Sequence, residues 1–375
     1  MKFCCEKSVL VSAVSNVSRA VSTRTALQAL EGILIRAEGE RISLTGYDLE
    51  LGITTTIPAD IQEAGEAVIS AKLFGDMIRK LDGAEVSFFC DEKMLTVIKG
   101  GLSEFTILGI DPADYPELPK LSDCDDLTLP QAALKSMIDQ TQFAISQNDA
   151  KPVHMGSLFD VMPDSLTVVS VDGYRMAVRR EQVDTGIETR FVVPGKTLAE
   201  ISKLLDPELP GEGEAEKNAV ISVSRKYVLA SVGEYSVISR LLDGEFLDYQ
   251  AAIPHGYTTR VTIGTREFIG AVDRTSLLIS DRLRSPLRMK FENDEIRISC
   301  STSLGRAYDE VPCKIEGDEL EMGFNNRYVL DALRAADCDQ LCLQISGPLS
   351  PMKIVPPEGD SFLFLVLPVR LKSEQ

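Results

Sequence analysis

Lys72-Leu73-Phe74-Gly75-Asp76-Met77-Ile78-Arg79-Lys80-Leu81 and Lys196-Thr197-Leu198-Ala199-Glu200-Ile201-Ser202-Lys203-Leu204-Leu205 read as one short amphipathic helix written twice, 124 positions apart. Ser22 and Ser146 repeat the same spacing, and so do Asp48 and Asp172. Three separate landmarks with one offset are hard to produce by chance, so the chain carries tandem copies of a single unit. A third copy is looser. Its short helix falls at Arg327–Ala336, and its landmarks are shifted by 131 and 134 positions, which implies loops of different length.

Working outward, each unit opens with an apolar pattern at helical spacing, over Phe3–Ser22, Leu127–Ser146 and Val261–Ser280. Two alternating stretches follow in each and predict paired strands: Gly32–Ile35 with Arg41–Thr45, Gly156–Val161 with Ser165–Ser170, and Pro286–Phe291 with Glu295–Cys300. The first two units close alike, on Asp114-Tyr115-Pro116-Glu117-Leu118-Pro119 and on Phe246-Leu247-Asp248-Tyr249 followed by Pro254. Proline-containing polar stretches near Leu121 and Ile253 suit linkers, giving expected domains at 1–121, 122–253 and 254–375. The fold class expected is α+β, with two helices packed on antiparallel sheets in each of three tandem domains.

A chain of 375 residues has room for three such cores. With 44% hydrophobic and 26% charged residues it has a globular composition, and no window approaches the roughly 20 uncharged apolar residues of a membrane span. Met1-Lys2-Phe3-Cys4-Cys5-Glu6 lacks an export signal, so a cytoplasmic protein with reduced thiols is expected. Eight cysteines include no Cys-x-x-Cys pair, and the histidines are His154 and His255 alone. No zinc or other metal site is expected, and buried structural cysteine is the preferred reading.

A formal charge of −18 argues at first sight against a nucleic-acid partner. The charge is unevenly spread. The six segments that carry the expected helices sum to +7, which leaves −25 on everything else. If the helices share a surface, that surface attracts phosphate while the acidic remainder repels DNA from unproductive contact. Solvated helix faces are the plain alternative for any one helix taken alone.

No glycine-rich phosphate loop, metal-binding histidine pair or nucleophile elbow appears. Acidic neighbours such as Asp48 with Glu50, or Asp123 with Asp125 and Asp126, are expected in a chain with 57 acidic residues and read as turn and surface groups. Neither catalytic residues nor cofactors are expected. A hydrolase built on an acidic pair is the rival from the enzyme class, tested by Asp48→Ala.

Particular segments carry a resemblance: Val21-Ser22-Thr23-Arg24, Leu44-Thr45-Gly46-Tyr47-Asp48-Leu49-Glu50, Val171-Asp172-Gly173-Tyr174-Arg175-Met176-Ala177, Leu242-Asp243-Gly244-Glu245-Phe246 and Gly323-Phe324-Asn325-Asn326-Arg327-Tyr328-Val329-Leu330. In this order, from Met1 to Leu371, the chain resembles the beta subunit of bacterial replicative DNA polymerase, the sliding-clamp family. The resemblance implies a head-to-tail homodimer closed into a ring, with helices around a central hole and sheets outside. It implies sequence-independent binding of double-stranded DNA through Arg24, Lys72, Asn148 and Lys196; Arg282 and Arg284 are added from their charge and position. It further implies a cleft between the second and third units for short linear peptides of the replicative polymerase, the clamp loader and repair proteins. That cleft would be formed by His154, Val171, Gly173, Arg175, Met176, Leu247, Ala252, Leu365, Leu367, Val369 and Arg370, with Asn325 and Tyr328 at its rim and Arg175 orienting polar groups of the peptide. For each aliphatic residue, plain core packing is the competing reading.

The chain departs from the family at several points. Thr25 and Gln28 stand where proline is frequent, His154 where an aliphatic residue is usual, and Lys151-Pro152-Val153 differs from the common pattern. Lys372-Ser373-Glu374-Gln375 continues past the usual end and is expected beside the cleft. A clamp-like paralogue serving as a specialised interaction scaffold is the nearer rival.

Overall fold

Each repeat begins with a strand, not a helix. In the computed structural model, which describes residues 1–22, 25–209, 211, 215–280 and 285–371, the strands Lys2–Glu6, Asp125–Pro130 and Thr259–Gly264 precede α1 (Lys7–Val17), α3 (Gln131–Asp139) and α6 (Thr265–Ser276). The expected opening helices therefore start too early. Phe3 and Cys5 point into the core and Lys2 and Cys4 do not, a period of two that merges without any glycine or proline into the helical period of Leu10, Val14 and Val17. The second helices lie one residue from their expected bounds: α2 (Ala71–Lys80), α4 (Gly195–Leu204) and α7 (Asn326–Ala335). A single turn, α5 (Tyr249–Ala252), completes the α-helices among the described residues, its Asp248 cap accepting from the Ala251 amide at 3.3 Å.

The paired strands also stand where expected, five of them slightly longer and one shifted by a residue, as Gly32–Glu38 with Arg41–Tyr47, Gly156–Met162 with Ser165–Val171, and Leu287–Glu292 with Glu295–Thr302. With the observed bounds the six long helices carry +5, not +7. The positive excess of the third opening segment came from residues 281–284, which lie outside the described residues.

The chain forms two compact units, Met1–Ala132 with Glu200–Leu241, and Ala133–Ala199 with Leu242–Gln375. Among the described residues the first unit holds a five-stranded and an eight-stranded sheet, the second a nine-stranded and a four-stranded sheet, every pairing antiparallel. The two large sheets are seams between repeats. In the first unit Leu51–Pro58 of repeat one pairs with Tyr235–Arg240 of repeat two, Leu51 opposite Ser239 and Thr55 opposite Tyr235. In the second unit Arg175–Gln182 of repeat two pairs in the same way with Phe362–Val366 of repeat three, Arg175 opposite Val366. Backbone hydrogen bonds thus make each seam continuous sheet.

The counterparts that find no such partner are Ser103–Leu108, at the edge of the five-stranded sheet, and Gly305–Pro312, at the edge of the four-stranded one. Leu102 and Leu108 beside the first edge, and Leu304 and Leu277 near the second, are largely exposed.

Cores follow the sequence pattern. Phe268, Phe291, Phe324 and Phe364 are fully buried in the largest cluster of the second unit, each such side chain contributing about 1.5–3 kcal/mol by leaving water. Cys5, Cys90, Cys300 and Cys342 are buried, as preferred, but Cys124 is exposed. Burial pushes the Cys5 and Cys313 thiols up to about 12, so neither is a ready nucleophile.

Candidate peptide cleft and DNA face

The second seam builds its surface from a tight turn. Asp172 Oδ1 accepts from the amides of Tyr174 and Arg175 at 2.9 and 3.1 Å, and Gly173 between them has φ of 90°, a conformation that favours glycine. Asp48 makes the same turn in repeat one, accepting from Glu50 and Leu51 at 3.0 and 2.7 Å. This carboxylate is a turn former, so the 124-residue spacing is a spacing of hydrogen bonds.

Beyond the turn, Arg175 lies under aromatic rings. Its Cζ stands 4.6 Å from the Tyr328 ring centre and 5.4 Å from that of Phe143. Its Nε donates to Asp172 Oδ2 at 2.9 Å and its Nη1 to Asp331 Oδ2 at 2.5 Å. Tyr328 stacks on exposed Tyr174, ring centres 6.0 Å apart. Burial raises the Tyr328 phenol above its ordinary value, keeping it neutral.

Four of the expected cleft residues, Asn325, Tyr328, Leu367 and Val369, line one depression of about 870 Å³ together with Tyr174, Phe324, Asn326, Arg327 and Pro368. Leu367 is held by its amide donating to the Tyr174 carbonyl at 2.9 Å, and Val369 by its amide donating to Gly323 at 2.7 Å. His154 and Leu247 line a second depression, of about 520 Å³, where the imidazole meets Phe246 edge-on at 5.3 Å. Burial and Lys151 lower the His154 pKa, so the neutral ring is favoured.

Val171, Met176 and Leu365 are instead 6%, 3% and 5% exposed within one apolar cluster with Val153 and Tyr249. They are packed in the core, in line with the core-packing reading. Gly173, Ala252 and Arg370 are exposed. Sequence reasoning missed Tyr174, Phe246 and Asp331. Tyr174 lay inside the quoted Val171–Ala177 segment; Asp331 had no local signal, because its partner is 156 residues away.

Of the residues expected on DNA, Arg24, Arg282 and Arg284 lie outside the described residues, as does the Lys372–Gln375 segment expected beside the cleft. Lys72 and Lys196 are exposed and hold the same place, second in α2 and α4. Arg327 holds it in α7, a third member the sequence reading did not select although the repeat register pointed to it. No acidic residue stands in the first turn of these three helices. Asn148 is exposed in a turn, its amide donating to Ser146 Oγ at 3.1 Å.

Family models of the DNA polymerase III beta subunit match the chain three times over: the N-terminal domain at residues 1–119, the central domain at 128–248 and the C-terminal domain at 250–370. The chain belongs to the DNA polymerase III beta subunit family. It is 33% identical over 381 aligned residues to the beta sliding clamp of Staphylococcus aureus, covering 99% of both chains. Among solved structures it resembles the DNA polymerase sliding clamp of Bacillus subtilis (TM-score 0.93, 31% identity, 99% and 100% covered) and a putative DNA polymerase III beta subunit of Eubacterium rectale (TM-score 0.92, 33% identity, 98% and 99% covered). A sliding clamp of Bartonella birtlesii, solved bound to griselimycin, aligns with TM-score 0.91 and 29% identity over 99% of this chain and 100% of that one. A beta subunit is a sliding clamp, a non-catalytic processivity factor of DNA polymerase, and full-length similarity to such clamps disfavours a specialised scaffold. Among the described residues no helix is long and apolar enough to cross a membrane.

Proposed function

We propose that this clamp works as a head-to-tail homodimer in the cytoplasm, closed around double-stranded DNA, and that it tethers polymerases through the cleft at its second seam. The observation that carries the closure is the repetition of the seams. Pro58, Gln182 and Pro312 face the equivalent residues Arg41, Ser165 and Glu295 in their hairpins, which puts the three joining strands in one register. Continuing the rule, Gly305–Pro312 of one copy pairs with Ser103–Leu108 of another, with Ser103 opposite Asp309 and Ile107 opposite Gly305. Two such seams close a dimer and leave no edge of this kind open. The exposed leucines beside both edges support burial there.

DNA contact is assigned to Lys72, Asn148 and Lys196, joined by Arg327 from the repeat register, and to Arg24, Arg282 and Arg284 from the sequence. Loose, backbone-directed charge suits a ring that slides. The peptide cleft is assigned to the two depressions, with Leu247, Leu367, Val369, Tyr174 and Tyr328 as its accessible apolar surface over the floor of Val171, Met176 and Leu365. Domain limits at 1–121, 122–253 and 254–375 go with this reading. Because the Bartonella clamp was solved bound to griselimycin, this chain is expected to bind it too, and we assign that binding to the cleft.

Sedimentation tests closure. The 41.1 kDa chain should sediment as a dimer, and Ile107→Asp, which buries a carboxylate in the new seam, should shift it to monomer. A wild-type monomer, or an Ile107→Asp variant as dimeric as wild type, contradicts the proposal.

A further inference from the structure

We propose that Asp331, through Arg175, is a positioning residue of the cleft: it locks the Tyr328–Tyr174 pair into the wall that a bound peptide meets. The inference rests on the cleft reading above and goes beyond it, because Asp331 lines neither depression. Three observations carry it.

The first is geometric. Arg175 starts the last strand that repeat two contributes to the seam, while Tyr328 and Asp331 stand three residues apart on α7 of repeat three, on neighbouring turns of one helix face. One guanidinium therefore bridges the two repeats, held at one end by Asp172 of its own turn and at the other by Asp331, with the Tyr328 ring over its face. Tyr328 in turn carries Tyr174.

The second is the state of the groups. The Arg175 and Asp172 side chains are 12% and 13% exposed and that of Asp331 is 40% exposed. The arginine end is dry enough for direction to matter, and its partner is reachable by solvent and so adjustable.

The third is the internal control supplied by the repeat. At the first seam the residue 124 positions earlier is Leu51, 1% exposed, and the sheet there continues across the repeats without any arginine at that place. Cross-repeat ion pairs are present there too, Arg19 with Glu200 at 3.8 Å and Arg41 with Glu234, but among the described residues the arginine held against aromatic rings is Arg175. Joining the sheet does not require Arg175 under a tyrosine pair. The arrangement belongs to the seam that has the 870 Å³ depression.

The test uses the full-length protein with griselimycin as the probe, comparing wild type, Asp331→Asn and Asp331→Glu. Affinity, thermal midpoint and near-ultraviolet circular dichroism are read for each; with nine tyrosines and no tryptophan, that spectrum reports tyrosine packing directly. Asp331→Asn should weaken binding about tenfold and reduce the tyrosine signal with the thermal midpoint nearly unchanged, and Asp331→Glu should restore both. A purely structural role would move the midpoint in step with affinity and would not be rescued. If folded Asp331→Asn binds as tightly as wild type, or if Asp331→Glu fails to rescue, the lock is wrong while the cleft reading stands. If wild type itself does not bind griselimycin, the cleft reading falls and the lock with it.

Discussion

Lys72, Lys196 and Arg327 sit where a cation is least welcome on its own helix, in the first turn, where the dipole presents positive charge. Each placement costs roughly 0.3–1 kcal/mol at the surface, a cost that binding phosphate would offset. Replacing all three with glutamine should make the salt dependence of DNA retention shallower by about one unit per lost phosphate contact. A variant with unchanged salt dependence would remove these residues from the DNA face. His154 offers a second residue-scale test. Its pKa is lowered, so the folded protein favours the neutral ring; the stability this contributes is complete above the ordinary 6.5 and is lost as pH falls from there toward the folded value. Griselimycin affinity should fall over the same window, as charge enters beside Phe246 and Lys151. His154→Leu should flatten that dependence, and an unaltered pH profile in the variant would exclude the imidazole. These proposed roles were only partly legible in the sequence. The lysines announced themselves by repeating at one spacing, whereas Asp331 acquires meaning only when α7 is brought against Arg175.

At the scale of elements, the helices that carry a charged second residue after a strand were readable to within a residue, because charge and apolar periodicity change together at Lys72, Lys196 and Arg327. The opening helices were misread at their starts for a physical reason: α1 and α6 have no side-chain hydrogen bond at the N-cap, where Glu6 and Gly264 stand, so nothing local marks the change from strand to helix. The C-terminal segment was quoted as part of the cleft, but its attachment was not legible. It lies against the strand Leu320–Phe324, where a Cβ on Gly323 would come within 2.8 Å of the Val369 carbonyl oxygen and 2.6 Å of Leu371 Cδ2. Gly323→Ala should therefore push Val369 and Leu367 out of place, costing about 1–3 kcal/mol by overpacking and weakening griselimycin more than it alters dimerisation. Calorimetric titration and sedimentation of one sample would check both. Unchanged ligand affinity would mean that the depression does not depend on this close approach.

On the scale of the whole molecule, the repeats were visible from three shared spacings, but the sharing of sheets between repeats was not. Strand partners such as Thr55 with Tyr235 are 180 residues apart, so no local spacing links them. That sharing changes the reading of the net charge and of the function alike. A chain whose two internal seams are sheet, and whose counterpart strands Ser103–Leu108 and Gly305–Pro312 lie at sheet edges, is suited to meet a second copy. A ring made so holds DNA by enclosure and needs only weak attraction to it, which a chain of charge −18 can supply from a few well-placed cations. The most direct measurement loads the protein onto nicked circular DNA with a bacterial clamp loader and ATP, then cuts the circle once and follows the bound fraction. Enclosure predicts retention on the circle and rapid loss once free ends exist; protein that stays on linear DNA with unblocked ends would contradict it.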